Sequence, residues 1–125
     1  MAVEKRRIVI TGGAGFIGST LAGRLTDQND IVLFDNLARN TLKHTSLREH
    51  PNVKLVQGDV LDYEATRRAV DGANLVVHAA AIAGIDTVIK SPVRTMEVNM
   101  IGTANVLRAA KEAKVQDRII EFSTS

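Results

Sequence analysis

A chain of 125 residues with 45% hydrophobic and 24% charged side chains has the balance of one globular domain and is too short for two. Its 16 basic and 14 acidic residues leave a net charge of +2, and no basic stripe interleaved with aromatics follows the run Lys5-Arg6-Arg7, which argues against nucleic acid as a partner. The absence of cysteine excludes disulfides and thiolate metal sites; no apolar run reaches the length of a signal peptide or membrane span, so the cytoplasm is the default compartment.

Short apolar runs alternate with longer amphipathic stretches, the pattern of βαβ units around a parallel sheet. With only 3% aromatics, the core must be built from Val, Ile, Leu and Ala. The first strand is expected at Arg7–Thr11, followed by a helix from Phe16 to near Gln28 and a second strand at Asp30–Asp35. A polar connection with Asn36, Arg39 and Asn40 leads to a short helix before Pro51 and a third strand at Val53–Gly58. Asp62 reads as the N-cap of a helix ending near Gly72. The fourth strand is Asn74–Ala80, and a loop of small residues follows.

A long helix then opens at Pro92 and runs to about Ala113. It carries two apolar stripes: Val93, Met96, Met100, Ala104 and Leu107 on one side, Val98, Val106, Ala109 and Ala113 on the other. One should pack on the sheet, and the other asks for a second partner. The last strand is Asp117–Phe122. Right-handed crossovers give a three-layer α/β fold of Rossmann type, a parallel sheet in the order 3-2-1-4-5. The whole chain, 1–125, is read as one such domain.

The strongest chemical signal is Thr11-Gly12-Gly13-Ala14-Gly15-Phe16-Ile17-Gly18, set between a strand and a helix. A pyrophosphate must come within hydrogen-bond distance of the helix's free amides, where a Cβ would obstruct it. Two registers are open: Gly13, Gly15 and Gly18 fit the dinucleotide fingerprint, while Gly12, Gly15 and Gly18 fit a three-residue spacing. Asp35 stands at the end of the second strand, about twenty residues on, where a carboxylate binds the adenosine ribose and repels a 2′-phosphate. That favours NAD over NADP, with Arg39 a nearby opposing cation. The competing reading of Asp35 is a turn cap with Asn36.

Taken with Asp35-Asn36-Leu37, Gly58-Asp59-Val60, His78-Ala79-Ala80-Ala81, Val98-Asn99, Gly102-Thr103 and Phe122-Ser123-Thr124-Ser125, in that order, the glycine motif resembles the amino-terminal half of the extended short-chain dehydrogenases of the nucleotide-sugar epimerase/dehydratase family. The resemblance implies NAD as cofactor and a nucleotide-sugar, such as a UDP-glucose-like substrate, for the complete protein. It places the backbone of Gly12, Gly15, Phe16, Ile17 and Gly18 at the pyrophosphate, Asp35 and Asn36 at the ribose, and Asn40 near the adenosine phosphate. Asp59 would accept from the adenine amino group and Val60 would pack on the ring. Ala79, Ala80 and Ala81 would line the nicotinamide side, Asn99 would reach the cofactor from the long helix, and Ser123 would also bind the cofactor. Thr124 matches the family's active-site Ser/Thr, with Ser125 as neighbouring candidate. No metal ligands are implied.

His78, with no carboxylate or second histidine at catalytic spacing, is read as structural. The family's base is a tyrosine with a lysine four residues on, and the chain ends before the helix that would carry them. Tyr63 with Arg67 does not substitute, because arginine cannot replace a titrating lysine. Asp86 stands near a place where several relatives carry a basic residue.

The reaction implied is a 4-epimerisation through transient hydride removal at sugar C4, with dehydration or decarboxylation as alternatives. On this reading the chain alone is catalytically incomplete, and the long helix 92–113 pairs two subunits. A stand-alone dinucleotide-binding module and an NADP-dependent reductase are the competing classes. Asp35 argues against the second, and an uncovered apolar stripe against the first.

Overall fold

The computed structural model describes residues 4–38, 42, 46–82 and 85–122. Five parallel strands form one sheet: β1 (Arg7–Thr11), β2 (Asp30–Asp35), β3 (Val53–Gln57), β4 (Leu75–His78) and β5 (Arg118–Glu121). Their order is β3-β2-β1-β4-β5, as the alternating pattern requires. Thr11 pairs with Phe34 and with His78, so the ends of the three central strands stand level.

The helices are α1 (Phe16–Leu25), α2 (Tyr63–Val70), α3 (Ile85–Lys90), α4 (Pro92–Met96) and α5 (Gly102–Glu112), with a short 3-10 turn at Leu47–Glu49. Two apolar clusters cover the faces of the sheet. Val9, Val32, Phe34 and Val76 pack with Val70, Val106 and Ala109 on one side; Ile8, Ile10, Leu33 and Val77 pack with Ala22 and Leu42 on the other. Burial on both faces is why these strands read as unbroken apolar runs.

Several expected boundaries move. The first helix stops at Leu25 because the Asn29 side-chain amide donates to the Leu25 carbonyl at 2.9 Å and ends the turn. Asp62 caps α2 by accepting from Ala65 N–H at 3.1 Å. The loop before Pro92 contains α3, whose Ile85, Val88 and Ile89 fall at helical spacing. The long helix is not uniform: α4 and α5 are joined by a wider π turn, Glu97–Ile101. Its two stripes divide as expected, with Val98, Val106 and Ala109 buried while Val93, Met96, Met100 and Leu107 face outward. Among the described residues, no helix is long and apolar enough to cross a membrane.

Candidate functional site

The carboxyl ends of the strands open into one cleft of about 430 Å³. Of the residues singled out in the sequence, Gly12, Gly15, Asp35, Asn36, Asp59, Val60, Ala79, Ala80 and Ala81 line it together.

The turn after β1 decides between the two glycine registers. Gly12 holds φ +68°, and a Cβ there would lie 2.8 Å from the Ala80 nitrogen. At Gly18 a Cβ would meet the Gly12 carbonyl oxygen at 2.5 Å, so this glycine lets α1 pack against the turn. Gly15 opens on the cleft and is the N-cap of α1, which has no side-chain cap and no acid in its first turn. Gly13 faces the Leu33 side chain instead. The working spacing is therefore Gly12, Gly15, Gly18, and Gly13 serves packing. The first amides of α1, at Phe16, Ile17 and Gly18, have no intrahelical partner by geometry, and together with the helix dipole they favour an anion. Phe16 and Ile17 are 78% and 55% exposed, which leaves this turn accessible.

Asp35 does two things. Its Oδ2 accepts from Ala14 N–H at 2.9 Å, and its Oδ1 accepts from Leu37 N–H at 2.7 Å, with Leu37 in a left-handed conformation at φ 65°. The turn-capping reading is thus correct as far as it goes. Each oxygen keeps lone-pair capacity, and the residue lines the cleft, so the carboxylate remains an acceptor for ligand hydroxyls. Asn36 closes the next turn by accepting from Ala38 N–H at 3.0 Å.

On the far edge, Asp59 Oδ1 accepts from Leu61 N–H at 2.9 Å, and its Oδ2 lies 3.7 Å from the Arg94 guanidinium. Val60 is gripped from α5: Asn105 donates to its carbonyl at 2.8 Å, and a Cβ on Gly102 would strike its methyl at 2.6 Å. Arg94 of α4 and Thr87 of α3 also line the cleft, and sequence reading missed both. A cation two residues past the helix-opening Pro92 was the available signal for Arg94.

The Ala79–Ile82 segment is clamped at both ends. Thr11 Oγ1 lies 2.6 Å from His78 Nδ1 and accepts from the amides of Ala79 and Ala80 at 3.1 and 3.2 Å. At the other end, Asn99 Oδ1 accepts from Ile82 N–H at 2.8 Å, and Asn99 Nδ2 donates to the Ile82 carbonyl at 3.1 Å. Asn99 thus positions the cleft wall through the Ile82 backbone, using one N–H and one lone pair of its amide. His78 is buried, and burial lowers its pKa below the ordinary 6.5. A carboxylate that sequence spacing hid does face it: Glu121, its register partner on β5, comes within 3.9 Å of Nε2. Burial raises the Glu121 pKa. Asn40, Ser123, Thr124 and Ser125, together with Arg39, lie outside the described residues.

The cleft fits a dinucleotide. An unobstructed, uncapped helix terminus stands beside Gly15, and a carboxylate stands on each flank at Asp35 and Asp59.

Residues 8–125 match the NAD dependent epimerase/dehydratase family. Among curated relatives, the chain is 36% identical over 123 residues to a UDP-N-acetyl-alpha-D-glucosaminuronate decarboxylase of Bacillus cytotoxicus, covering 97% of this chain and 37% of that protein. It is 33% identical to a 3 beta-hydroxysteroid dehydrogenase/Delta 5-->4-isomerase of Mycobacterium tuberculosis, covering 100% and 34%. Among solved structures, UDP-glucose 4-epimerase from Bifidobacterium longum in complex with NAD+ and UDP superposes with a TM-score of 0.81 at 26% identity, over 95% of this chain and 37% of that one. The chain spans little more than a third of the length of each of these proteins. With that match covering nearly all of its length, and with a Rossmann sheet whose cleft fits the cofactor, the chain belongs to the NAD-dependent epimerase/dehydratase family.

Proposed function

We propose that the chain is the NAD-holding part of a nucleotide-sugar epimerase that works at sugar C4. The observation that carries this reading is the cleft, which joins the uncapped terminus of α1 to Asp35 and Asp59 in one continuous surface. Bound NAD would supply the acceptor for a hydride taken from the sugar and returned to it. The chain's own residues bind and orient. The amides of Phe16 and Ile17 take the pyrophosphate, with Gly12 and Gly15 keeping the approach clear and Gly18 seating the helix. Asp35 and Asn36 take the ribose, with Asn40 beside the adenosine phosphate. Asp59 accepts from the adenine amino group, and Val60 packs on the ring.

Ala79, Ala80 and Ala81 form the wall beside the nicotinamide, held by Asn99 from behind, with Ser123 on the same side. Thr124 would hydrogen-bond the sugar oxygen, with Ser125 as its neighbour, and the proton-accepting group comes from outside these 125 residues. The outward stripe of α4 and α5 would pair two subunits. The similarity to a decarboxylase acting on a UDP-sugar acid favours a second reading, in which the oxidised sugar loses a carboxyl group.

The test has two steps. Calorimetric titration should show NAD binding more tightly than NADP, since the Asp35 carboxylate opposes a 2′-phosphate. The full protein should then interconvert UDP-glucose and UDP-galactose. Preference for NADP would overturn the cofactor assignment; release of carbon dioxide from a UDP-uronic acid would establish the second reading.

A further inference from the structure

We infer that His78 is a positioning residue of the dinucleotide cleft: held as the neutral imidazole with its proton on Nε2, it orients the Thr11 hydroxyl toward the Ala79 and Ala80 amides and so fixes the gap between the phosphate turn and the alanine wall. This rests on the reading of the cleft as a dinucleotide site.

The proton positions follow from the heavy atoms. The hydroxyl of Thr103 lies 2.6 Å from the Asn99 carbonyl oxygen, four residues back on the helix. A carbonyl cannot donate, so the single hydroxyl proton of Thr103 lies on that line. Thr103 Oγ1 is also 3.0 Å from His78 Nε2, and with its proton already committed it meets the ring as an acceptor. Nε2 therefore carries the hydrogen. In a neutral imidazole this leaves Nδ1 bare, and the Thr11 hydroxyl donates to it across 2.6 Å.

Thr11 gives the same answer independently. Its Oγ1 faces Ala80 N–H and a share of Ala79 N–H, which divides between that hydroxyl and the Thr11 carbonyl, 3.1 Å from each. Two donors occupy two lone pairs, so the ring cannot be a third. A proton on Nδ1 would meet an oxygen with no lone pair to offer, inside the core, and would turn the Thr11 hydroxyl away from its acceptor. Among the described residues, the polar groups facing His78 are Thr11 from β1, Thr103 from α5 and Glu121 from β5. Of these Glu121 alone is charged, and at 3.9 Å it is beyond hydrogen-bond reach of Nε2.

The consequence lies in the cleft. Thr11 precedes Gly12 and His78 precedes Ala79, so one hydrogen-bonded pair sets both walls. The π turn supplies the rest, since Asn99 anchors Thr103 through its carbonyl and Ile82 through its amide.

The decisive measurement is a long-range nitrogen–proton correlation spectrum of the full chain, with histidine rings labelled with nitrogen-15, combined with NAD titrations. His78 should show a bare Nδ1 and a protonated Nε2 at neutral pH. Thr103→Val removes the acceptor while keeping the shape. It should leave the Nε2 proton without an acceptor, shifting that proton's resonance while Thr11 keeps the tautomer, and weaken NAD binding about tenfold, the scale of one lost buried hydrogen bond, while Thr103→Ser restores both. A cationic or Nδ1-protonated His78, or a Thr103→Val protein that keeps its full NAD affinity, would overturn the inference. A wild-type protein with the assigned tautomer and no affinity for NAD would instead overturn the reading of the cleft.

Discussion

The carboxylate of Asp35 accepts a hydrogen bond from the amide of Ala14, 2.9 Å away, so the acid that ends β2 holds the glycine turn that follows β1. Its other oxygen holds Leu37. An asparagine would keep the shape but present an NH2 group to one of these two N–H donors. With Asp35 only 9% exposed, that donor would be left unsatisfied at a cost of about 2 kcal/mol. Asp35→Asn should therefore lower the unfolding free energy in denaturant titration by that amount and weaken NAD binding at least ~10-fold. A variant as stable as the parent would show that these two bonds add nothing net.

Two glycines of α1 predict opposite outcomes. At Gly18 an added methyl meets the Gly12 carbonyl at 2.5 Å, and backbone has to move; at Gly23, inside the same helix and exposed, it meets nothing within 4 Å. Gly18→Ala should destabilise by about 1–3 kcal/mol and abolish tight dinucleotide binding, because the turn it displaces is the one proposed to take the phosphates. Gly23→Ala should stabilise by about 0.5–1 kcal/mol through helix propensity alone. Thermal unfolding of the pair checks both; loss of stability at Gly23 would mean that this helix face packs against something in the full protein.

Much of this was legible because periodicity and glycine spacing are local. Strand β1 at Arg7–Thr11, β2 at Asp30–Asp35 and the Asp62 cap follow from a few neighbouring residues, and the order of the sheet follows from the handedness of the crossovers. The glycine register was not legible, since it depends on what each Cβ would strike, and Gly13 meets Leu33 of the next strand. Asn99 could be picked out as part of a motif, but its partner is the backbone of Ile82, 17 residues earlier, and no spacing rule announces that. The Glu121 carboxylate beside His78 becomes visible only when strand order is combined with register. Thr11 and His78 lie 67 residues apart and meet for the same reason.

Met100, 61% exposed, stands mid-way along the outward stripe between Met96 and Leu107. If that stripe joins two subunits, a buried carboxylate at its centre has no partner and association should fail. Met100→Glu should raise the dimer dissociation constant by at least ~10-fold in sedimentation equilibrium, with unchanged far-ultraviolet dichroism because the residue touches no core. A dimer indifferent to the substitution would place the subunit contact elsewhere.

Acid sensitivity follows from His78, only 2% exposed, whose pKa is lowered from 6.5 by burial. Unfolded, the ring takes a proton near its ordinary value; folded, it stays neutral until a lower pH. Between the two values the unfolded state binds more protons, so stability complete above about pH 6.5 is lost as pH falls through that window, and the loss levels off below the folded value. Glu121 acts with the opposite sign. Its raised pKa means that just above 4.5 the folded state binds more protons and gains stability as pH falls, an effect muted by its exposure. Unfolding free energies measured from about pH 7.5 to 5 should therefore decline toward acid in the parent protein and lose most of that slope in His78→Asn. Equal slopes in the two proteins would trace the acid sensitivity to carboxylates instead. NAD affinity of the folded protein should hold through that window and decline only below it, where the folded ring itself takes a proton and withdraws the Thr11 hydroxyl from the amides that line the cleft.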